Sequence, residues 1–276
     1  MKLICPKCSG ELISEAKRYF CENGHSYDRA KSGYVNLLLR QSCRRRGDDA
    51  EMAKARQLFL NAGYYQILLD RICEIIKQEK PSAIIDIGCG EGWYSCAISA
   101  MLRQNQMDTA LCGVDISPDI LRFAAVRAKQ QGILNADWAV ASVNHLPIAD
   151  QSCDCILNLF APCEPNEFRR ILKEDGLLLR VIPLEKHLWE LKEAVYDHPY
   201  ENKPVIAAPE GFVQSAFERL TTTITVPAEH LKALFTMTPY IHKTSEQDIV
   251  KLDRLPFLKI TVSFGILQCR PVKIGE

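Results

Sequence analysis

Cys5, Cys8, Cys21 and His25 write C-x2-C-x12-C-x3-H across the start of the chain. Thiolates and an imidazole in two close pairs suit a tetrahedral zinc ion, and with all four positions filled by protein the metal would be structural and not catalytic. Further on, Asp86-Ile87-Gly88-Cys89-Gly90-Glu91-Gly92 follows the apolar run Ala83-Ile84-Ile85. Gly88 and Gly90 let the backbone approach a ligand closely, and a helix starting near Trp93 offers free amides to its polar atoms. The glycines fall as G-x-G-x-G behind an acid, Asp86, unlike the G-x-G-x-x-G of nicotinamide sites. An adenosyl cofactor is the chemistry this turn suggests. Asp115 closes a second apolar run 25 residues after Gly90. Its two oxygens can accept both hydroxyls of a ribose, although the same residue also reads as a helix cap ahead of Ser117-Pro118.

These residues need elements to hold them. Around the cysteines, Ser9-Gly10-Glu11-Leu12 reads as a turn, residues 17–20 as a strand returning to Cys21, and Gly24 as a second turn before His25. So short a segment buries too little apolar surface to fold alone, and a metal contributing on the order of 10 kcal/mol or more would hold it together. Arg40, Arg44, Arg45 and Arg46 then form a basic linker, read either as a phosphate-pairing cluster or as a solvated segment balanced by Asp48 and Asp49. Met52, Ala55, Leu58 and Phe59 predict one helix. Ile67, Leu68, Ile72, Ile75 and Ile76 predict a second, ended by Pro81, and the two should cover the entrance of the domain that follows. Seven β-rich runs, at 83–87, 110–115, 137–142, 153–160, 177–183 (after an Asp175-Gly176 turn), 221–226 and 259–267, predict a doubly wound α/β sheet.

Composition sets outer limits. A chain of 276 residues with 47% hydrophobic content has room for one ordinary domain and a small accessory module. No apolar stretch has the length of a signal peptide or a membrane helix, so a cytoplasmic address is expected. The 12 cysteines lack a disulfide spacing and should be reduced. Charges balance at 34 basic and 34 acidic side chains, so net charge neither points to nucleic acid nor excludes it.

The two signatures do not stand alone. Taken with Lys31-Ser32-Gly33-Tyr34-Val35-Asn36-Leu37-Leu38, Gly47-Asp48-Asp49-Ala50-Glu51-Met52, Ala161-Pro162-Cys163, His187-Leu188-Trp189-Glu190-Leu191-Lys192 and Met237-Thr238-Pro239-Tyr240, the chain resembles the RlmA-type 23S ribosomal RNA guanine-N1 methyltransferases, a group that includes tylosin-resistance-type members. The resemblance covers almost the whole chain. It implies a class I S-adenosylmethionine-dependent methyltransferase with a Rossmann-like seven-stranded sheet and an N-terminal zinc module. The implied domains are a zinc-binding RNA-recognition module at 1–38, a basic linker and lead-in helix at 39–64, and the methyltransferase domain at 65–276. Cys5, Cys8, Cys21 and His25 would bind zinc, and Tyr65, Gly90, Glu91 and His187 would contact S-adenosylmethionine. Asp86, Gly88 and Asp115 join them on general class I grounds. Read alone, Tyr65 would be core or helix surface, and His187 a residue packing near a helix start. A 23S ribosomal RNA hairpin is the implied partner, approached by a homodimer.

Guanine N1 carries a proton at neutral pH, so a base must remove it or contacts to O6 must stabilise the anion. Asn158 and Ala161-Pro162-Cys163 are candidates to orient the guanine. Glu164 and His145 are further candidates that read equally as solvent-facing loop residues. The target edge pairs in a duplex, so the nucleotide should be unpaired or flipped out. Three rivals remain at this level: a pyrimidine C5 methyltransferase attacking through Cys163 beside Pro162, a small-molecule methyltransferase, and a non-catalytic zinc-dependent RNA-binding factor.

Overall fold

Continuous apolar runs become buried strands, and the chain builds one sheet from them. The computed structural model describes residues 2–39 and 49–273; the arginine cluster at 40–46 lies outside the described residues. The N-terminal module carries β1 (Ile13–Ser14), β2 (Arg18–Phe20) and β3 (Ser26–Asp28), an antiparallel meander, and then β4 (Val35–Asn36). Next come α1 (Ala50–Asn61) and α2 (Gln66–Glu79), followed by β5 (Ala83–Ile87), α3 (Trp93–Gln104), β6 (Ala110–Asp115), α4 (Pro118–Gln130) and β7 (Ala136–Val140). The second half supplies β8 (Cys153–Leu159), α5 (Pro165–Ile171), β9 (Leu172–Pro183), α6 (Trp189–Val195), β10 (Phe212–Pro227), α7 (Ala228–Thr236) and β11 (Phe257–Pro271).

The main sheet runs β10-β11-β9-β8-β5-β6-β7-β4. Its six strands from β4 to β9 are parallel, while β11 is antiparallel to both β9 and β10. The order reverses between β5 and β8, the place where doubly wound sheets bind ligands at their carboxyl ends. The seven expected strands are all present, and an eighth joins them: β4 pairs with β7 through Val35–Ala139 and Asn36–Val140. The Asp175-Gly176 turn is absorbed into β9, whose register with β8 slips between Cys153 and Cys155.

Helices cover both faces. Phe59, Leu68, Ile72 and Ile76 of α1 and α2 pack with Phe264 and Val181 on one face. Phe168 and Ile171 of α5 pack on the other with Leu178 and Leu267. Two residues expected on the apolar stripes are exposed instead, Leu58 and Ile67. Leu60 and Leu69 are buried as well, and Leu58 and Ile67 lie at the solvent margin of stripes whose members Met52, Phe59, Leu68, Ile72, Ile75 and Ile76 are buried.

The module is docked onto the sheet edge as well as tethered to it. Leu3, Leu12, Tyr19 and Val35 share a core with Leu146 and Ile148, and Ile4 N–H donates to Pro147 O at 3.0 Å. Tyr19 is almost fully buried; its hydroxyl donates to Asp137 Oδ1 at 2.5 Å and accepts from Arg29 Nη2 at 2.7 Å. This junction links β2 to β7 by a charge-assisted bond in a largely dry place, so Tyr19→Phe should lower stability to chemical denaturation by about 1.5–3 kcal/mol. An unchanged midpoint and slope would show that the module docks without it.

Candidate functional site

At the N-terminus, the Cys5 carbonyl accepts from both Cys8 N–H and Ser9 N–H, and Cys21 O accepts from Gly24 N–H. Each turn folds its residues into a knuckle that presents side chains to one point. The ligand atoms of Cys5, Cys8, Cys21 and His25 lie within 4.8 Å of one another. Cys8 and Cys21 sulfurs are 3.6 Å apart, and His25 Nδ1 is 3.4 Å from Cys5 Sγ and 3.5 Å from Cys21 Sγ. A zinc tetrahedron with ordinary bond lengths has edges of about 3.8 Å between sulfurs and about 3.5 Å between sulfur and nitrogen. The four side chains therefore fit that ion through Nδ1 of the histidine. Hydrogen bonds from the Asn23 side chain and the Gly10 backbone lower the Cys8 thiol to about 6, favouring the ligating thiolate.

The second site forms where β5 and β6 end. Gly88 and Cys89 N–H both donate to Val114 O, at 2.8 and 3.1 Å. Asp115 Oδ2 accepts from Gly90 N–H at 3.0 Å and Oδ1 from Ser117 N–H at 2.9 Å, so the carboxylate fastens the glycine turn to the next strand. The cap of α4 is Ser117, whose Oγ accepts from Ile120 N–H. Gly88 has φ +74°, and a Cβ there would stand 2.5 Å from Ala161 Cβ; Gly92, at φ +79°, would meet Ala124 at 2.8 Å. Asp86 is buried beneath the turn and accepts from Ser95 Oγ. Burial raises its carboxyl to about 7, against the opposing Ser95 hydrogen bond and helped by the Asp115 charge.

Glu91 is buried too. Arg127 donates to its Oε2 through Nε at 3.0 Å and Nη2 at 2.6 Å, while Arg127 Nη1 reaches Asn61 Oδ1, which locks α4 and α1 over the turn. Burial raises the Glu91 carboxyl, and Arg127 opposes the rise. Glu91 Oε1 and the Tyr94 hydroxyl have no hydrogen-bond partner although both are buried. Orphaned polar atoms at this depth are unfavourable unless a polar ligand meets them, and an adenosyl cofactor with its hydroxyls and amino-acid tail offers the missing groups. The residues fit such a cofactor.

Tyr65 and His187, 122 positions apart, meet at 3.2 Å between the Tyr65 hydroxyl and His187 Nε2. Ser263 N–H donates to His187 Nδ1 at 3.1 Å, which leaves the ring proton on Nε2. Burial, then the Lys192 charge, lowers the imidazole to about 3, so it stays neutral and donates to Tyr65. The Tyr65 O–H is thereby left to donate to a ligand.

The remaining candidates separate. Asn158 is buried with its amide engaged at both ends, donating to Pro162 O at 3.0 Å and accepting from Arg180 Nε at 3.2 Å. Cys163 is half-buried and burial raises its thiol, the opposite of an activated nucleophile. Glu164 stands at the N-cap position of α5 without a side-chain capping bond, and His145 is exposed. Sequence reasoning passed over Arg127, Tyr94 and Phe160. Phe160 holds φ +60° and is 42% exposed, with its ring near Tyr65, His187 and Phe264. An arginine in a helical stripe and an aromatic after an apolar strand carry no signal of such roles. Only the Ala-Pro turn after Phe160 hinted at a break in the strand.

The raised Asp86 carboxyl has a consequence for stability. Between its ordinary 3.8 and about 7 the folded chain binds the proton that the unfolded chain releases. Its contribution is therefore present at low pH and lost as pH rises through about 7. Without cofactor, Asp86→Asn should gain stability relative to the parent chain across that window, by a few kcal/mol at most, when denaturation is followed at a series of pH values. A difference that does not vary with pH would contradict the assignment.

Comparison with known proteins follows the same division of the chain. A profile described as RlmA, N-terminal, a zinc ribbon, matches residues 3–44, and one described as methyltransferase domain matches residues 84–180. The 23S rRNA (guanine(748)-N(1))-methyltransferase of Streptomyces fradiae is 34% identical, over 98% of this chain and 97% of that protein. YxjB of Bacillus subtilis (strain 168) is 31% identical over 95% of each. Among solved structures, the YcgJ protein from Bacillus subtilis superposes with a TM-score of 0.51 at 16% identity, covering 75% of this chain and 98% of that one, and shares the fold. With a ribbon and a cofactor domain both matched and a relative aligned along nearly its whole length, this chain belongs to the RlmA-type 23S rRNA (guanine-N1)-methyltransferase family.

Proposed function

We propose that this chain transfers a methyl group from S-adenosylmethionine to N1 of a guanine in a hairpin of 23S ribosomal RNA. The observation that carries the reading is the extent of the similarity: a relative named for guanine-N1 methylation of 23S rRNA aligns with the ribbon as well as the cofactor domain. In this reading Cys5, Cys8, Cys21 and His25 hold one structural zinc, and Tyr65, Asp86, Gly88, Gly90, Glu91, Asp115 and His187 hold the cofactor. Residues 1–38 recognise RNA, 39–64 form a basic linker and lead-in helix, and 65–276 perform transfer. The division is functional, because β4 of the first unit is built into the sheet of the last. The chain acts in the cytoplasm as a homodimer, a state that sedimentation equilibrium measures directly. Among the described residues no helix is long and apolar enough to cross a membrane.

Bound in this site, S-adenosylmethionine supplies an electrophilic methyl group on sulfur. The protein aligns and shields. The glycine turn approaches the ligand backbone-first, Asp115 fixes that turn, and the neutral His187 ring orients the Tyr65 hydroxyl as a donor. Helices α1 and α4 close over the turn through Asn61 and Arg127 and exclude water from the line of transfer.

Two rivals make different products. Incubation of unmodified 23S rRNA with labelled S-adenosylmethionine, followed by nucleoside analysis, should return label in 1-methylguanosine, with Cys163→Ser retaining activity within about tenfold, since a thiol raised by burial takes no part in the step. Label in a 5-methylpyrimidine lost on Cys163→Ser, or RNA left unlabelled by a protein that binds the cofactor, would overturn the reading.

A further inference from the structure

Arg180 lies half-buried in β9, paired across from Asn158 in β8. Its Nε–H donates to Asn158 Oδ1 at 3.2 Å, and among the described residues no carboxylate pairs with it. Its side chain lines a cleft, and no hydrogen bond from its outer N–H groups to the described residues is seen, so they can donate to a ligand held there. Asn158 is a strut: its Nδ2–H donates to Pro162 O at 3.0 Å, which fixes the guanidinium relative to the turn that follows β8.

That turn passes the cofactor loop, since Ala161 stands where a Cβ at Gly88 would lie. Arg180, with Ile182, Pro183, Tyr200 and Asn202, lines a cleft of about 670 Å³ at the carboxyl end of β9. The size suits a single small ligand or an extruded nucleotide. The far wall is held in place by a buried cation: Lys192 Nζ donates to Tyr200 O at 3.0 Å and to Asn202 Oδ1 at 2.8 Å. Asn202 Nδ2 in turn donates to Leu184 O and His187 O. The cleft is thus tied through the backbone of His187 to the residue read above as a cofactor contact. Tyr200, 51% exposed, presents a ring on which a base can stack.

The geometry points to this cleft as the seat of the flipped guanine, with Arg180 a catalytic residue whose outer N–H groups take up the negative charge that develops on O6. The inference rests on the guanine-N1 reading. The step balances with water as the proton acceptor: N1–H gives its proton to solvent, and the electron pair it leaves is shared between N1 and O6. The N1 lone pair then bonds the methyl carbon as the carbon–sulfur bond breaks and its electrons remain on sulfur. A neutral 1-methylguanine results. No side-chain base is required, in keeping with an Asn158 amide already engaged at both ends and a Cys163 thiol raised by burial. The other titratable groups near Arg180 are Cys163, Cys269 of β11 and, along the cleft, Tyr200, Glu201 and Lys203. Burial raises both thiols, so neither adds a negative charge near neutrality.

Arg180→Gln and Arg180→Lys in the full chain test this. Single-turnover transfer to a 23S rRNA transcript is measured between about pH 7 and about pH 9, together with KM for RNA and calorimetric S-adenosylmethionine affinity. Arg180→Gln should lower the transfer rate about 10²-fold near neutrality, with KM and cofactor affinity within a few-fold. The deficit should shrink as pH rises, because without the cation guanine keeps its N1 proton to higher pH. Arg180→Lys should fall between the two. A raised KM with unchanged rate and pH profile would make Arg180 a phosphate contact and overturn the assignment, as would no change in either variant. If Arg180→Gln fails to fold, the pH profile of Arg180→Lys decides, and a profile parallel to that of the parent chain counts against the proposal. A parent chain that binds cofactor yet forms no 1-methylguanosine defeats the underlying reading instead, which the nucleoside analysis of the same reactions reveals.

Discussion

How closely the chain can pass itself at the turn from β5 into α3 governs the rest of the site. Gly88 packs against Ala161 of the segment following β8 with no room for a Cβ, and it holds a backbone conformation that side chains disfavour. Because position 88 is bare, β5 and β8 can end side by side at the point where strand order reverses. The carbonyl of Val114 and the carboxylate of Asp115 can then take the backbone N–H groups of the turn. Cofactor turn, ribose-side acid and post-β8 segment are in register for this one reason.

Burial of polar groups does the rest of the positioning. Asp86, Glu91, His187 and Lys192 are all removed from water, and each is engaged by a partner that determines its charge or direction. A buried imidazole held neutral by one backbone donor becomes a fixed donor to Tyr65, and a glutamate clamped on one oxygen leaves the other aimed inward. Such arrangements are unfavourable for the bare fold and become favourable when a ligand completes them. The zinc module follows the same economy at the opposite end of the sheet. Its four ligands already sit at the spacings of a metal tetrahedron, and its last strand extends the sheet beside β7.

Much of this was legible before any coordinates. The Cys/His spacing carried the metal site, since four ligands in two tight turns leave few other uses for them. Strands β5 and β6 were readable to the residue, because an apolar run closed by an acid, with the glycine turn after β5 and Ser117-Pro118 after β6, has sharp edges. Tyr65 and His187 were not readable from their own surroundings. Their meeting depends on α2 and the β9–α6 turn packing on one face of a sheet whose order sequence does not state, and only the family resemblance marked them. Leu58 and Ile67 were misplaced because the apolar stripes read in the sequence are wider than the faces the helices bury, so residues at their margins stay in solvent. The role of Val35–Asn36 as an eighth strand was hidden for a similar reason: two residues are too short for periodicity to show.

The direct test of this account is a calorimetric titration of S-adenosylmethionine into the purified chain and into Gly88→Ala. One site per chain is expected and, for the variant, an affinity lower by about tenfold or more with the zinc content unchanged, since strain of about 1–3 kcal/mol and a displaced Ala161 would open the turn. Equal affinity in the two proteins would contradict the claim that close passage at position 88 builds the site.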